Sequence, residues 1–445
     1  MRFAKLPLKL LPDSASSMKG AIRRWVLIGI SIRLALMPLF VQSDFFDNYF
    51  GAFVLERTGH VIPVAFSYLT LLLLSVWLRI LSPIMPNFVY GSALSTGTSV
   101  GRLPFEVSDP NLYGFLVLGK APFLAFDVLC GILFIWILEN PAQGLKAFKL
   151  WMLSPISIFA TYVIGQYDVA TVFLILLSIV LFRYKRYLLS SLTLGLAVAI
   201  EYFPIAILPF LVYLGMKTVQ KPAARIRFAL LSVAAGIIPV VLSTLAILEI
   251  FPSISGPTLS NFSTPNAAIT WTIFTHTVGY SVSFATSFVD VIYVLPITFI
   301  LVVGYVWLRN ESNVNTLIEA TSIFLSLFFA LGLFLVQWFL WIVPFLIIFL
   351  SWRRLPLWLY VIINLAYFVY PWYWGNLITT YLFLPITSQA FQWPTPVQVL
   401  DSAGIPGLQF VSTVRSVLSG GLVLFVAIII RDDVKRKLLT LRANE

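Results

Sequence analysis

The sequence predicts an all-α polytopic integral membrane protein, and three observations carry that prediction. Of 445 residues, 60% are hydrophobic and 11% charged, with a mean hydropathy of +0.95. A soluble domain carries about 25% charged residues and could not hide this much apolar surface. Many apolar runs approach the ~20 residues that a helical span needs. These runs do not alternate polar and apolar residues as barrel strands do, so the spans are read as helices. Collagen, coiled coil and disorder are excluded by 24 glycines, sparse charge and 16% aromatic residues.

The net charge of +11 reflects short basic clusters between apolar runs, as in cytoplasmic loops, not a nucleic-acid surface. One cysteine, Cys130, precludes an intrachain disulfide. With only His60 and His276 beside it, a Cys/His zinc site is excluded, whereas a hard cation on carboxylates stays compatible.

The elements follow in order. Residues 1–19 are basic and precede an apolar run at 21–40. Arg33 interrupts that run and no small-residue cleavage site is obvious, so it reads as a retained first span with a cytoplasmic N-terminus. The basic clusters at 19–24, 146–149, 183–186, 217–227, 309, 353–354 and 431–442 share one face only if even numbers of crossings separate them. Hairpins at 150–164/169–182 and 188–200/204–214 satisfy this. So do pairs at 228–250/291–308, 316–335/339–350 and 357–370/411–430. Parity fails between Arg24 and Lys146 unless residues 68–80 are re-entrant or interfacial, with 83–111 held outside. The expected bundle has about 11–12 spans in one transmembrane domain over 1–445. Its core is 20–350, and a long outer loop lies among the C-terminal spans of 351–445.

Charged groups inside spans are costly and mark function by default. Lys120, Asp127, Asp168, Glu201 and Glu249 are the candidates, and Asp44 and Asp47 follow the first span on the outer side with Asp168. Structural roles stand beside the functional ones. Asp47 and Asn48 read equally as the cap of a short helix at 49–57, and Asp168 as the cap of the span after it. Asp127 reads as a partner within the bundle, and Glu201 as facing interfacial water. Glu201 also sits at a break between two short helices, a frequent place for a cavity. Trp372, Tyr373, Trp374 and Trp393 form an aromatic belt or grip a sugar or lipid. The tripeptide Asn261-Phe262-Ser263 is a glycosylation sequon of a kind common by chance.

The order of motifs is distinctive. Asp44 and Asp47 precede Gly119-Lys120-Ala121-Pro122 and its Asp127. Ser154-Pro155, Gly165-Gln166-Tyr167-Asp168, Glu201-Tyr202-Phe203-Pro204 and Gln337-Trp338-Phe339-Leu340-Trp341 follow. The series resembles the GT-C superfamily of polyprenyl-phosphate-sugar-dependent glycosyltransferases, and within it the catalytic-subunit family of GPI mannosyltransferase I. Three departures stand out. The acids are three apart instead of two, Ser154 replaces Asn, and Glu201 replaces Lys, so Lys120, Arg57 or Arg102 would have to meet a lipid phosphate. The resemblance implies inverting transfer of a hexose, mannose by preference. The donor is a polyprenyl- or dolichyl-phosphate sugar, and the acceptor a lipid- or protein-linked glycan on the outer face. That face belongs to the plasma membrane in a prokaryote and to the endoplasmic reticulum in a eukaryote. It further implies Asp44 as general base with Asp47 as runner-up, and substrate contacts from Lys120, Asp127, Gln166, Asp168, Glu201, Gln337 and Trp338. A divalent cation bridging an acid to phosphate is compatible, though no spacing demands it. Two other classes remain open: a non-catalytic scaffold resembling a GPI transamidase subunit, and a lipid or sugar transporter, which the lack of internal repeats disfavours.

Overall fold

A computed structural model describes residues 15–58, 68–84, 107–250, 294–309, 311–332 and 334–443, and among these every regular element is helical. The expected features at 85–106 and 251–290, including Arg102 and the sequon at Asn261, lie outside the described residues, as does the side chain of Arg57.

The helices are α1 (Ala15–Leu36), α2 (Ser43–Thr58), α3 (Tyr68–Leu81), α4 (Leu112–Ile137), α5 (Pro141–Met152), α6 (Pro155–Ile158), α7 (Asp168–Arg183), α8 (Tyr187–Ile200), α9 (Leu208–Met216), α10 (Pro222–Ile250), α11 (Val294–Leu308), α12 (Val314–Leu331), α13 (Val343–Ser351), α14 (Leu357–Val369), α15 (Pro396–Ser402) and α16 (Gly407–Ala443). Their starts follow local chemistry. Asn140 and Ser154 each cap a helix whose first residue is proline, a position where the missing N–H costs nothing. Asn313 caps α12, and Thr395 forms a reciprocal capping box with Gln398. Ser154 thereby does the capping that Asn would do in its place.

Four described helices are long and apolar enough to cross a membrane: Leu112–Ile137, Pro222–Ala246, Val314–Leu331 and Gly407–Arg436. The pair Pro141–Met152 and Pro155–Ile164, bent by 42°, makes a fifth. The remaining apolar helices are shorter than the expected 11–12 full spans require, among them Tyr68–Leu81, Tyr187–Ile200 and Phe203–Met216. Prolines at 204, 209 and 344 interrupt the runs. Helix α3, with 14 residues, is about 21 Å long and falls short of the ~30 Å core. It lies parallel to α2: Ser75 donates to the Ala52 carbonyl at 3.1 Å and Arg79 pairs with Glu56 at 2.8 Å.

Small residues set the closest crossing. A Cβ on Gly195 of α8 would lie 2.2 Å from the Gly236 carbonyl of α10, so glycine at 195 is required for the contact. At one end of the bundle the buried carboxylate of Glu319 accepts from Arg309, Arg354 and, at 2.9 Å, Arg436. Three of the basic clusters assigned to one face by parity therefore meet around a single acid.

Candidate functional site

The site is built at the α1–α2 junction and the turn before α7. Helix α2 begins at Ser43, which corrects the capping expectation: Asp47 and Asn48 lie in its second turn, not before a helix. Gln42 does the work at the start, its Oε1 accepting the Asp44 backbone N–H at 2.9 Å. Asp44 and Asp47 are both half-buried on this helix.

The second element is a π-helical turn, Phe159–Ile164, closed by Gly165. Such turns cluster at functional sites. Gly165 has φ of +89°, and a Cβ there would meet Phe45 at 3.0 Å and Lys120 at 3.2 Å, so only glycine lets the chain turn this close to α2. The turn delivers Gln166 to Asp44, Nε2 to Oδ2 at 3.5 Å and to Gln42 Oε1 at 3.3 Å. Tyr167 follows, its hydroxyl bonded to Glu201 and its ring within electrostatic range of Asp44 and Asp168. Asp168 opens α7 without capping it; Tyr167 occupies the cap position and no side-chain cap bond forms. Its buried carboxylate instead accepts from the Trp341 indole at 2.8 Å.

Trp341 lies on the 3-10 turn Val336–Trp341 with Gln337 and Trp338. Gln337 is buried there, and the Trp338 ring stacks on Trp341 at 5.3 Å. On its other side Trp341 stacks on Phe203 at 3.5 Å and 8°. The break after α8, where Glu201 is extended and half-buried, is thus held against the aromatic run. From the C-terminal part, Leu382 accepts a backbone bond from Val41 at 3.2 Å, and Phe383 packs edge-on against Phe40. That segment packs against the residues just before α2.

Two expected contacts have other tasks. Lys120 donates to the carbonyls of Met37, Phe40 and Tyr162 at 2.9, 2.6 and 2.9 Å. An ammonium has three N–H groups, so none is left for a lipid phosphate. Asp127 pairs with Arg33 at 2.5 Å and accepts from Tyr162 at 2.8 Å and Ser157 at 3.3 Å. It anchors α1 to α4 and to the turn after α6. Arg33, noticed in the sequence only as an interruption, is the cation that a buried acid demanded. Gln42 is a further member that the sequence did not single out, and Asn48, Tyr167 and Trp341 stood there only as a cap or as motif neighbours.

Burial pushes the Asp44 carboxyl above the ordinary carboxylate range, and bonds from Gln42 and Ser43 pull it partly back. A carboxylate made more basic in this way is a better proton acceptor near neutral pH. No group of three or more His, Cys, Asp or Glu side chains able to hold a metal occurs among the described residues.

Residues 114–336, half of the chain, match the model of Glycosyltransferase family 87. No curated protein and no solved structure matches the chain. The matched stretch holds Lys120, Asp127, Gln166, Asp168 and Glu201, whereas Asp44 and Asp47 precede it and Gln337 follows it.

Proposed function

The chain belongs to glycosyltransferase family 87, and from that membership we propose that this multi-pass membrane glycosyltransferase moves a hexose, mannose by preference, from a polyprenyl- or dolichyl-phosphate donor to a hydroxyl of a lipid- or protein-linked glycan. Transfer takes place on the outer face, with the N-terminus cytoplasmic. The observation that supports this most is the meeting of Asp44 with the Gln166–Asp168 turn, beside Glu201 and Trp341.

In this reading Asp44 takes the proton of the acceptor hydroxyl as its oxygen bonds to the sugar C1. The bond from C1 to the phosphate oxygen breaks, and the lipid phosphate leaves with the electron pair. Attack opposite the leaving group inverts the anomeric carbon, as in inverting glycoside hydrolysis. General-base help of this kind is worth about 10²–10⁴-fold. Asp47, one turn further along α2, is the second candidate for the base. In the same reading Asp168, bonded by Trp341, and Glu201, bonded by Tyr167, accept from sugar hydroxyls. Arg57 and Arg102 remain the candidates to meet the leaving phosphate.

The test is reconstitution with radiolabelled polyprenyl-phosphate mannose and glucose, scored for labelled acceptor glycolipid. Transfer by the wild type that is lost in Asp44→Asn or Asp47→Asn supports the reading. Transfer undiminished in both variants refutes the assignment of the base, and no transfer from either donor by the folded wild type refutes the reaction.

A further inference from the structure

We propose that Gln42, Gln166 and Asn48 form a relay of three amides that positions the Asp44 carboxylate, and that Gln166 is a positioning residue and not a sugar contact. This rests on the reading of Asp44 as the base.

The relay is defined by which atom each amide must present. Gln42 Oε1 accepts the Asp44 backbone N–H at 2.9 Å, which fixes the oxygen of Gln42 toward α2, while its Nε2 faces the Ser43 hydroxyl at 3.4 Å. That oxygen also accepts from Gln166 Nε2 at 3.3 Å, so Gln166 presents its NH₂ group to this side. The same nitrogen reaches Asp44 Oδ2 at 3.5 Å. Gln166 Oε1 then faces Asn48, whose Nδ2 donates to it at 3.5 Å. Reversing any one amide would set oxygen against oxygen or N–H against N–H. The network therefore decides all three orientations, which the geometry of one amide alone would not.

All three amides are buried, at 4%, 3% and 3% exposure for Gln42, Gln166 and Asn48. Their backbone supports are independent. Gln42 and Asn48 flank the first turn of α2, and the Gln166 N–H is tied to the Ala160 carbonyl at 3.1 Å across the π-helical turn. Asn48 Oδ1 has no partner among the described residues, so Asn48 ends the relay. The two 3.5 Å bonds are long, as catalytic hydrogen bonds often are before substrate binds. The groups around Asp44 that carry or take charge are Tyr167 on the facing turn, Asp168 and Glu201 behind it, Asp47 on α2, and Lys120 of α4, whose Nζ lies 5.4 Å from the Phe45 ring.

A sugar contact and a positioning residue predict different losses. The full-length protein in lipid nanodiscs is measured as wild type, Gln166→Leu, Asn48→Leu and Asp44→Asn. With Gln166→Leu the relay predicts a kcat lower by about 10–100-fold at nearly unchanged donor KM, as misplacement of a reacting group gives. The acid limb of kcat/KM should move to higher pH, because Gln42, whose bond holds the Asp44 carboxyl down, loses the Gln166 donor that orients it. Asn48→Leu should shift the limb in the same direction by less. The infrared carbonyl band of protonated Asp44, isolated by difference against Asp44→Asn, reads the same shift without turnover. The inference is overturned if Gln166→Leu raises KM alone, or if band and limb stay at the wild-type midpoint in a folded variant. Should Gln166→Leu fail to fold, the Asn48→Leu midpoint decides. If Asp44→Asn retains transfer, the base assignment fails, while the band midpoint still tells whether the relay holds Asp44.

Discussion

The Trp341 indole donates to the Asp168 carboxylate at 2.8 Å, across 173 residues of sequence. The bond joins the turn after the π-helix to the aromatic run that precedes α13. Through the stack of Trp341 on Phe203 it also fixes the segment that carries Glu201. One indole thus sets the relative position of two acids in the candidate site.

Trp341→Phe separates these two tasks. It preserves a ring for Phe203 and removes the only N–H the indole supplies. A buried acceptor left without its donor costs about 1–3 kcal/mol. The variant is expected to melt at lower temperature and to transfer sugar at least tenfold more slowly, whereas Phe203→Leu should disturb the stack while leaving the Asp168 bond in place. Melting curves in detergent and initial rates in proteoliposomes check both.

The Arg33–Asp127 pair is expected to behave as architecture. Both side chains are fully buried, and breaking a buried pair from one side costs about 3–5 kcal/mol because an uncompensated charge remains. Arg33→Met and Asp127→Leu should each unfold the protein readily. The double variant should recover much of the loss, since replacing both charges with apolar side chains is often close to neutral. Thermal unfolding of the four proteins measures the coupling, and the transfer rate per folded molecule of the double variant should approach wild type.

Much of this fold was legible because its signals are local. Apolar runs marked α4, α7, α12 and the body of α16. The Gly-Gln-Tyr-Asp turn between 164 and 168 and the break at Glu201 fell where the structure puts them. Span length was less legible, since residue counts do not show where Pro155 or Pro344 divides a run. The candidate site was half legible. Asp44, Gln166, Asp168 and Glu201 carry chemistry by type, and the structure gathers them. Partner choice was not legible. Lys120 and Asp127, seven residues apart on α4, suggest a pair, yet one bonds carbonyls of the α1–α2 junction and the π-turn and the other bonds Arg33. Such choices depend on contacts across 42 to 94 residues, which no window of sequence contains. Trp341 stood in the late aromatic motif, but its partner Asp168 was hidden for the same reason.

Glu319 predicts a third loss, remote from the site. Its carboxylate joins Arg309, Arg354 and Arg436 from three parts of the chain. Glu319→Gln keeps the shape and removes the charge, leaving the buried Arg309 with less compensation. A drop in melting temperature is expected, with transfer per folded molecule unchanged. An equal loss of transfer in folded protein would instead show that this end of the bundle communicates with the site.

Asp44→Asn should have the opposite effect on stability. The folded-state pKa of Asp44 is raised, with burial as the main cause. Above the unfolded value of about 3.9, the folded chain holds its proton longer than the unfolded chain does. Stability contributed by this group is therefore present at low pH and lost as pH rises through the raised value. At neutral pH the ionised carboxylate opposes folding, and the neutral amide relieves that opposition. Asp44→Asn is accordingly expected to raise the melting temperature at pH 7, to leave it nearly unchanged at pH 4, and to abolish sugar transfer. In the wild type the same titration should give a rate that falls as pH drops through the raised value, because only the ionised form accepts a proton. A variant that is more stable and inactive would mark Asp44 as a residue kept for chemistry at a cost to the fold. A variant that is less stable at pH 7 would place Asp44 with Asp127, among the acids that hold the bundle together.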